Sequence, residues 1–147
     1  ARGRWIAAAT ALAAIAALVL WSRRAPEVDT VAEGTPITRV THHAGNRAGM
    51  GNEATVGDTL HVEVTELGAG ELRVYRDDQE VVLRCPGPPP CVRTAGRLAG
   101  ELRLAAPGQY RAVYLTPAPT GALTSTLAND LASCGCSSRV AVPVVAR

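Results

Sequence analysis

The chain has 147 residues, with 15 arginines, no lysine, 13 acidic residues and a formal net charge of +2. Four arginines lie within residues 1–24, so the rest of the chain carries 11 arginines against 13 acids and is mildly acidic. This balance argues against nucleic acid as a partner, because nucleic-acid binding needs a basic face. The roughly 120 residues that follow position 24 are enough for one domain.

The N-terminal stretch Trp5–Trp21 carries no charged residue and has arginines on both sides. As a helix it would span about 25 Å, and long arginine side chains can extend their charges to the headgroups of a bilayer core of about 30 Å. Tryptophan at each end suits the membrane–water interface. We therefore predict a transmembrane anchor with basic flanks at residues 1–24, with membrane-interface residues Trp5, Trp21, Arg23 and Arg24.

Two other kinds of segment share some features of this stretch. A cleaved signal peptide also starts with basic residues, but the sequence around Arg23 and Arg24 is a poor cleavage site. A buried helix of a soluble protein would show a polar face, and only Thr10 is polar here. We expect a single-pass protein of the cell inner membrane, with its C-terminal domain in the periplasm or outside the cell. The similar basic flanks indicate this orientation only weakly.

The first half of the remaining chain predicts a linker, a loop and several strands. Residues 25–35 combine proline, glycine and acids, as linkers do, so we place the folded domain at 36–147. A short strand is predicted at 36–41 and a glycine-rich loop at 42–57. Alternating polarity then predicts strands at 58–66, 71–76 and 80–85. Their expected inward side chains are Leu60, Val62, Val64, Leu72, Val74, Val81, Leu83 and Cys85.

The second half predicts three more strands and one helix. The prolines at 86–90 cannot join a sheet and predict a stiff connector. Strands are expected at 98–105, 109–116 and 139–146, with Pro143 marking an edge or a bulge. Their expected inward side chains are Leu98, Leu102, Leu104, Tyr110, Ala112, Tyr114, Val140, Val142 and Val144. Leucines four residues apart predict a helix at 123–132, capped by Thr120 or Thr124.

Four cysteines behind a membrane anchor predict two disulfides in an oxidising compartment. We favour Cys85–Cys91, because five intervening residues let the ends of a loop approach each other. Cys134 then pairs with Cys136 in a tight ring that is more easily reduced. Crossed pairings, which would tie the proline-rich loop to the C-terminal region, stay open. We expect structural disulfides, since a helix C-terminus before Cys134 disfavours a reactive thiolate.

No other residues form a recognisable catalytic or metal-binding pattern. The spacing of His42, His43 and His61 fits no ordinary zinc signature, and we expect these side chains to be solvated. Asp77 and Asp78 are expected to be turn residues rather than paired catalytic carboxylates. With no serine–histidine–acid set or phosphate loop in the sequence, we predict no enzyme activity, no metal and no cofactor. The identity of any small-molecule ligand stays unknown.

About seven short strands, frequent turns and one short helix predict a mainly β fold, an immunoglobulin-like β-sandwich. The sequence Gly108-Gln109-Tyr110 at the head of the penultimate strand is similar to the tyrosine corner of immunoglobulin-like domains. Ala112 stands where antibody domains have a cysteine, so the inter-sheet disulfide of antibodies is not expected.

The layout resembles the membrane-anchored extracytoplasmic domains found beside sigma-factor regulation in GC-rich bacteria. The span, Gly57-Asp58-Thr59-Leu60, the segment 72–76 and the segment 107–110 carry this resemblance. In that anti-sigma-factor-like family a cytoplasmic part, a single span and a small β domain follow one another. The resemblance implies a non-enzymatic domain that binds another envelope or membrane protein, or relays an envelope signal.

Two alternatives stand beside this hypothesis. The first is a thiol–disulfide or metal-handling envelope protein that uses Cys85, Cys91, Cys134 and Cys136. The second is a subunit of a larger membrane assembly, in which the alanine-rich anchor packs against partner helices.

Overall fold

The computed structural model describes residues 33–43, 52–119 and 126–147. The chain divides into two compact units, Ala1–Val31 and Ala32–Arg147. The predicted anchor, with its interface residues Trp5, Trp21, Arg23 and Arg24, lies outside the described residues, as does most of the predicted linker. In the part of the chain that is described, no helix combines the length and apolar character needed to cross a membrane.

The second unit is mainly β, as the sequence predicts, and its described residues form ten strands and one short helix. The helix α1 spans Leu127–Ser133. The strands are β1 Ile37–Thr41, β2 Glu53–Ala54, β3 Thr59–Thr65, β4 Glu71–Arg76, β5 Glu80–Cys85, β6 Val92–Thr94, β7 Arg97–Arg103, β8 Gly108–Thr116, β9 Ser137–Val140 and β10 Val144–Ala146. The prediction of about seven strands was too low, because β2 and β6 are too short to show a period of two and because the predicted last strand is divided into β9 and β10.

The strands form two sheets. The four-stranded sheet has the order β1-β3-β7-β6, and the six-stranded sheet has the order β2-β10-β8-β4-β5 with β9 also beside β8. The strands β2 and β10 run parallel to each other. Both sheets contribute side chains to one hydrophobic core, which includes Leu60, Val62, Val64, Leu98 and Leu104 from the first and Leu72, Val74, Tyr110, Ala112, Tyr114 and Val144 from the second. The alternation read from the sequence therefore identifies most of the core.

The predicted last strand is divided at Pro143. Val113 pairs with Val140, whereas Tyr110 pairs with Val144, so β8 and its partner differ by one residue between these two points. An extra residue of this kind is a bulge, and it reverses the side chains that follow. We expected Val140, Val142 and Val144 to share the inward face, but Val140 and Val142 are 40% and 65% exposed, whereas Val144, which follows the bulge, is 1% exposed.

A second bulge, in β5, changes which of its side chains face the core from those that we predicted. Val74 pairs with Leu83 but Tyr75 pairs with Val81, so the ladder skips Val82. Val82 packs against the main core, and Val81 packs instead with Tyr75 on the opposite face of the sheet. A single inserted residue moves a side chain from one face to the other because the period of a strand is two.

The helix begins later than predicted. Its N-cap is Thr126, whose hydroxyl accepts a hydrogen bond from the Asn129 N–H at 3.4 Å, and its first residue is Leu127. Thr120 and Thr124, the expected caps, lie outside the described residues. Leu127 is 7% exposed and packs on the six-stranded sheet.

Asp58 holds together the two ends of the segment predicted as a loop at 42–57. Its carboxylate is fully buried and accepts hydrogen bonds from the His43 and Thr55 N–H groups, both at 2.8 Å. The ring Nδ1 of His42 lies 2.9 Å from the same carboxylate, so His42 is not simply solvated as expected. The end of this segment forms β2, because β10 offers it a parallel partner.

Candidate functional site

A shallow groove lies on the outer face of the four-stranded sheet. Strand register places Ala99 directly opposite Glu63 on one side and Val92 on the other. The short methyl group of Ala99 between two larger side chains leaves a depression in the sheet surface. The groove encloses about 560 Å³ and is lined by Arg39, Thr41, His61, Val62, Glu63, Pro90, Val92, Ala99, Gly100 and Glu101.

His61 lies in the groove with both ring nitrogens engaged. Its Nδ1 is 3.0 Å from Oε1 of Glu101, the residue directly opposite on β7. Its Nε2 is 2.8 Å from Oγ1 of Thr41 on β1. An imidazole binds a metal only through its two ring nitrogens, and both are in contact with neighbouring side chains here. His61 therefore acts as a hydrogen-bonding group in this structure.

The groove combines an apolar rim with charged groups. Val92 is 58% exposed and stands beside Pro90 on this rim. Arg39, Glu63 and Glu101 supply charges of both signs to its lining. Protein interfaces combine apolar side chains, whose burial supplies affinity, with polar groups that supply specificity, and the groove contains both kinds.

A second cluster of polar residues is buried on the outer face of the six-stranded sheet. Arg73 on β4 is 2% exposed, and its Nε donates a hydrogen bond to Oε1 of Glu71 at 2.5 Å. Its Nη1 donates to Oδ2 of Asp130 on α1 at 2.6 Å. Burial alone lowers the pKa of Arg73, but hydrogen bonds and charges from Glu71 and Tyr75 outweigh that effect and raise it above its ordinary value.

Two further side chains complete this cluster. Arg84 on β5 donates to Oε1 of Glu71 from Nε at 2.6 Å and to Oε2 from Nη2 at 3.1 Å. Tyr75 donates its hydroxyl to Oδ2 of Asp130 at 2.6 Å. Two guanidinium groups thus face two carboxylates. Arg84 is exposed, but Arg73 and both carboxylates are buried, and a buried charge is tolerated only when it is paired in this way. We call Glu71, Arg73, Tyr75, Arg84 and Asp130 the ionic cluster.

The helix α1 covers the ionic cluster from outside. Tyr75, Val113, Leu115 and Leu127 form a separate buried apolar cluster between the helix and the sheet, against which Cys134 and Cys136 pack. The sequence did not indicate this layer. Glu71, Arg73 and Tyr75 alternate with the inward side chains of Leu72 and Val74, and no pattern within the strand indicates that a helix lies above them.

Both disulfides predicted from the cysteine count are present. Cys85 bonds Cys91 and Cys134 bonds Cys136. The sulfur of Cys85 is in the main core, whereas Cys134 and Cys136 are half-buried between α1 and β9. The structure therefore does not contain the crossed pairings.

The other predicted positions have structural contacts. Asp77 accepts a hydrogen bond from the Gln109 N–H at 2.8 Å, and Asp78 lies 2.9 Å from Nε of Arg111. Both aspartates have positive φ angles, as turn residues of this type do. The hydroxyl of Tyr110 donates to the carbonyl of Ala106 at 2.7 Å. Within residues 33–43, 52–119 and 126–147, no three of histidine, cysteine, aspartate or glutamate converge as a metal site would require.

The first prediction concerns Asp130. Substitution Asp130→Ala leaves the Arg73 guanidinium without one of its carboxylates beneath α1, and removing one partner of a buried pair costs about 3–5 kcal/mol. We expect a decrease of that size in the free energy of unfolding, measured by urea denaturation of the full chain in a mild detergent. Asn129→Ala, on the exposed side of the same helix, is the matched control and should change stability by less than about 0.5 kcal/mol. A small effect of Asp130→Ala would contradict the assigned role of the cluster.

The second prediction concerns Tyr75. Burial and the hydrogen bond to Asp130 raise its pKa to about 12, although Arg73 acts in the opposite direction. An unfolded tyrosine ionises near pH 10, so the folded chain retains a proton that the unfolded chain loses, and stability should fall as the pH rises from about 10 to about 12.

Phenolate absorbance at 295 nm measures this ionisation directly. The chain has three tyrosines and no lysine. We expect a component near pH 12 in the folded chain that is missing in Tyr75→Phe and that moves to about pH 10 in urea. If Tyr75→Phe instead lost a titrating component near pH 10 and kept the component near pH 12, the raised pKa would not belong to Tyr75.

No family model, curated protein or solved structure matches this chain. The features that bear on its function are the open groove on one sheet, the ionic cluster on the other, and the two disulfides.

Proposed function

We propose that the second unit is an immunoglobulin-like β-sandwich that binds another envelope protein outside the membrane, without catalysing a reaction. The strand order supports this fold. In variable-type immunoglobulin domains, an additional strand, C′, extends the sheet that contains strands G, F and C. If β10, β8 and β4 correspond to G, F and C, then β5, which lies beside β4, has the position of C′. The contact of Tyr110 with the Ala106 carbonyl has the form of a tyrosine corner.

The groove is the observation that carries the binding function. It is an open surface with an exposed valine on its rim and a histidine that is held by two neighbours. Its size suits a short protein segment, and Ala99 provides room for an apolar side chain beside Val92. Thr41 and Glu101 fix the orientation of His61 through its two ring nitrogens, so the groove offers a polar group of fixed position together with the exposed Val92.

Anchoring in the membrane is supported by composition. Trp5–Trp21 is uncharged and bounded by arginines, which favours a single span. Two disulfides in a domain of this size suit an oxidising compartment. A domain tethered there meets other envelope proteins, and the resemblance to anti-sigma-factor-like proteins supports a role in relaying an envelope signal.

The third prediction tests the anchor. Wild-type full chain should stay in the membrane pellet after washing with alkaline carbonate. Leu12→Arg with Ile15→Arg should release it, because each arginine at the centre of a span costs about 3 kcal/mol. Leu12→Ile with Ile15→Leu keeps the stretch apolar and is the matched control. Recovery of uncleaved wild-type chain in the aqueous fraction would contradict the anchor.

The fourth prediction tests the groove. A photo-crosslinking benzoylphenylalanine at Val92, in the full chain in its native membranes, should yield one discrete adduct with an envelope protein. The same probe at Val142, which is 65% exposed compared with 58% for Val92, is the matched control and should yield none.

A charge reversal sharpens this test. Glu101→Lys should reduce the Val92 adduct severalfold, because it replaces the acid that faces His61 in the groove. Equal adducts from Val92 and Val142, or no adduct from either, would contradict binding at the groove.

A further inference from the structure

The two disulfides differ in how deeply they are packed. Cys85 is fully buried, and a Cβ added to Gly100 of the facing sheet would lie 2.9 Å from its sulfur. Neighbouring atoms thus enclose one sulfur of that bond, the sulfur of Cys85, whereas its partner Cys91 is half-buried. Cys134 and Cys136 are half-buried at the surface, between the end of α1 and the start of β9.

The disulfide between Cys134 and Cys136 is open to an incoming thiol. Gly135, the single residue it encloses, is exposed and has a φ of +57°, and a Cβ built on it would meet no atom within 4 Å. A side chain would project into this space, so the absence of one leaves the ring uncovered. Thiol–disulfide exchange requires a thiolate to reach a sulfur atom, and access is one of the terms that sets its rate.

The surroundings also distinguish the two sulfur atoms. The N–H of Cys136 points at the sulfur of Cys134 at 3.3 Å. A hydrogen bond from an amide stabilises a thiolate, and a sulfur that is more stable as a thiolate leaves more readily. The partial negative charge at the end of α1 opposes this, but that helix has seven residues and its end is exposed to solvent, which screens the effect.

We propose that Cys134–Cys136 is an exchangeable disulfide that accepts electrons from a dithiol reductant while the domain stays folded. One thiolate of the dithiol attacks Sγ of Cys136, the bond between the two protein sulfurs breaks, and its electron pair goes to Sγ of Cys134. The second thiolate of the dithiol then attacks the mixed disulfide and releases Cys136. The dithiol is oxidised to a disulfide by two electrons, and both cysteines take up a proton.

The fold should tolerate this reaction. A cross-link that encloses one residue removes little conformational freedom from the unfolded chain, so its loss costs little stability. The helix α1 keeps its contacts through Asp130 and Leu127, which do not depend on the disulfide. The exchange takes place at the end of α1, so the outcome of its test does not depend on whether the groove binds a protein.

Each disulfide can be followed separately in one experiment. Trypsin cleaves after arginine and releases Cys85 and Cys91 together in peptide 85–93, and Cys134 and Cys136 together in peptide 112–139. The oxidised full chain, in a mild detergent, is treated with dithiothreitol for varied times, blocked with N-ethylmaleimide and digested. We expect peptide 112–139 to gain two maleimides at least about tenfold faster than peptide 85–93, with an unchanged far-ultraviolet circular dichroism spectrum.

Urea separates direct attack from reaction through unfolding. Direct attack should give a rate proportional to dithiothreitol and unaffected by urea below the unfolding transition, whereas a route through unfolding accelerates with urea. A brief reaction with glutathione, quenched in acid with maleimide, should place glutathione on Cys136 and maleimide on Cys134. Equal reduction of both peptides, acceleration by low urea, or glutathione on Cys134 would each overturn the proposal.

Discussion

Burial of the Arg73 guanidinium constrains both the six-stranded sheet and the helix above it. The charge is stable there only with carboxylates within hydrogen-bond reach, and Glu71 and Asp130 supply them at 2.5 and 2.6 Å. Glu71 belongs to the same strand, but Asp130 belongs to α1. The helix therefore has to occupy one position on the sheet, and its short length makes this pairing more important than its own helical propensity.

The same requirement for satisfied polar groups extends to the large aromatic residues. The chain contains no phenylalanine, so its bulky core rings are tyrosines, and each tyrosine brings a hydroxyl that needs a partner when buried. Tyr75 donates to Asp130, Tyr110 to the carbonyl of Ala106, and Tyr114 to the carbonyl of Gly68 at 2.8 Å. Each ring thus packs its face in an apolar cluster while its hydroxyl ties that cluster to a loop or to α1.

The two sheets present different outer faces as a result. The helix and its apolar cluster cover the outer face of the six-stranded sheet around Arg73. The outer face of the four-stranded sheet keeps the polar alternation of exposed strands, interrupted by Ala99, and there the groove forms. The groove consequently lies on the sheet that lacks the helix, and the half-buried Cys134–Cys136 disulfide lies at the end of α1.

The alternating pattern of the sequence determined that the domain is mainly β and which side chains fill the main core. Leu60, Val62 and Val64 illustrate this, because a strand with one buried face must place apolar residues at every second position. The cysteine count and spacing also predicted both disulfides. These features are local, and short stretches of sequence carry them.

Only the tertiary structure decided which strands lie side by side, where the ladders gain a residue and what lies above the second face. The exposure of Val142 depends on a bulge against β8, and the burial of Arg73 depends on a helix more than fifty residues away, whose Asp130 reaches it. The groove depends in the same way on the register that sets Ala99 between Glu63 and Val92. Contacts between distant segments created these features, so no periodicity within one segment could report them.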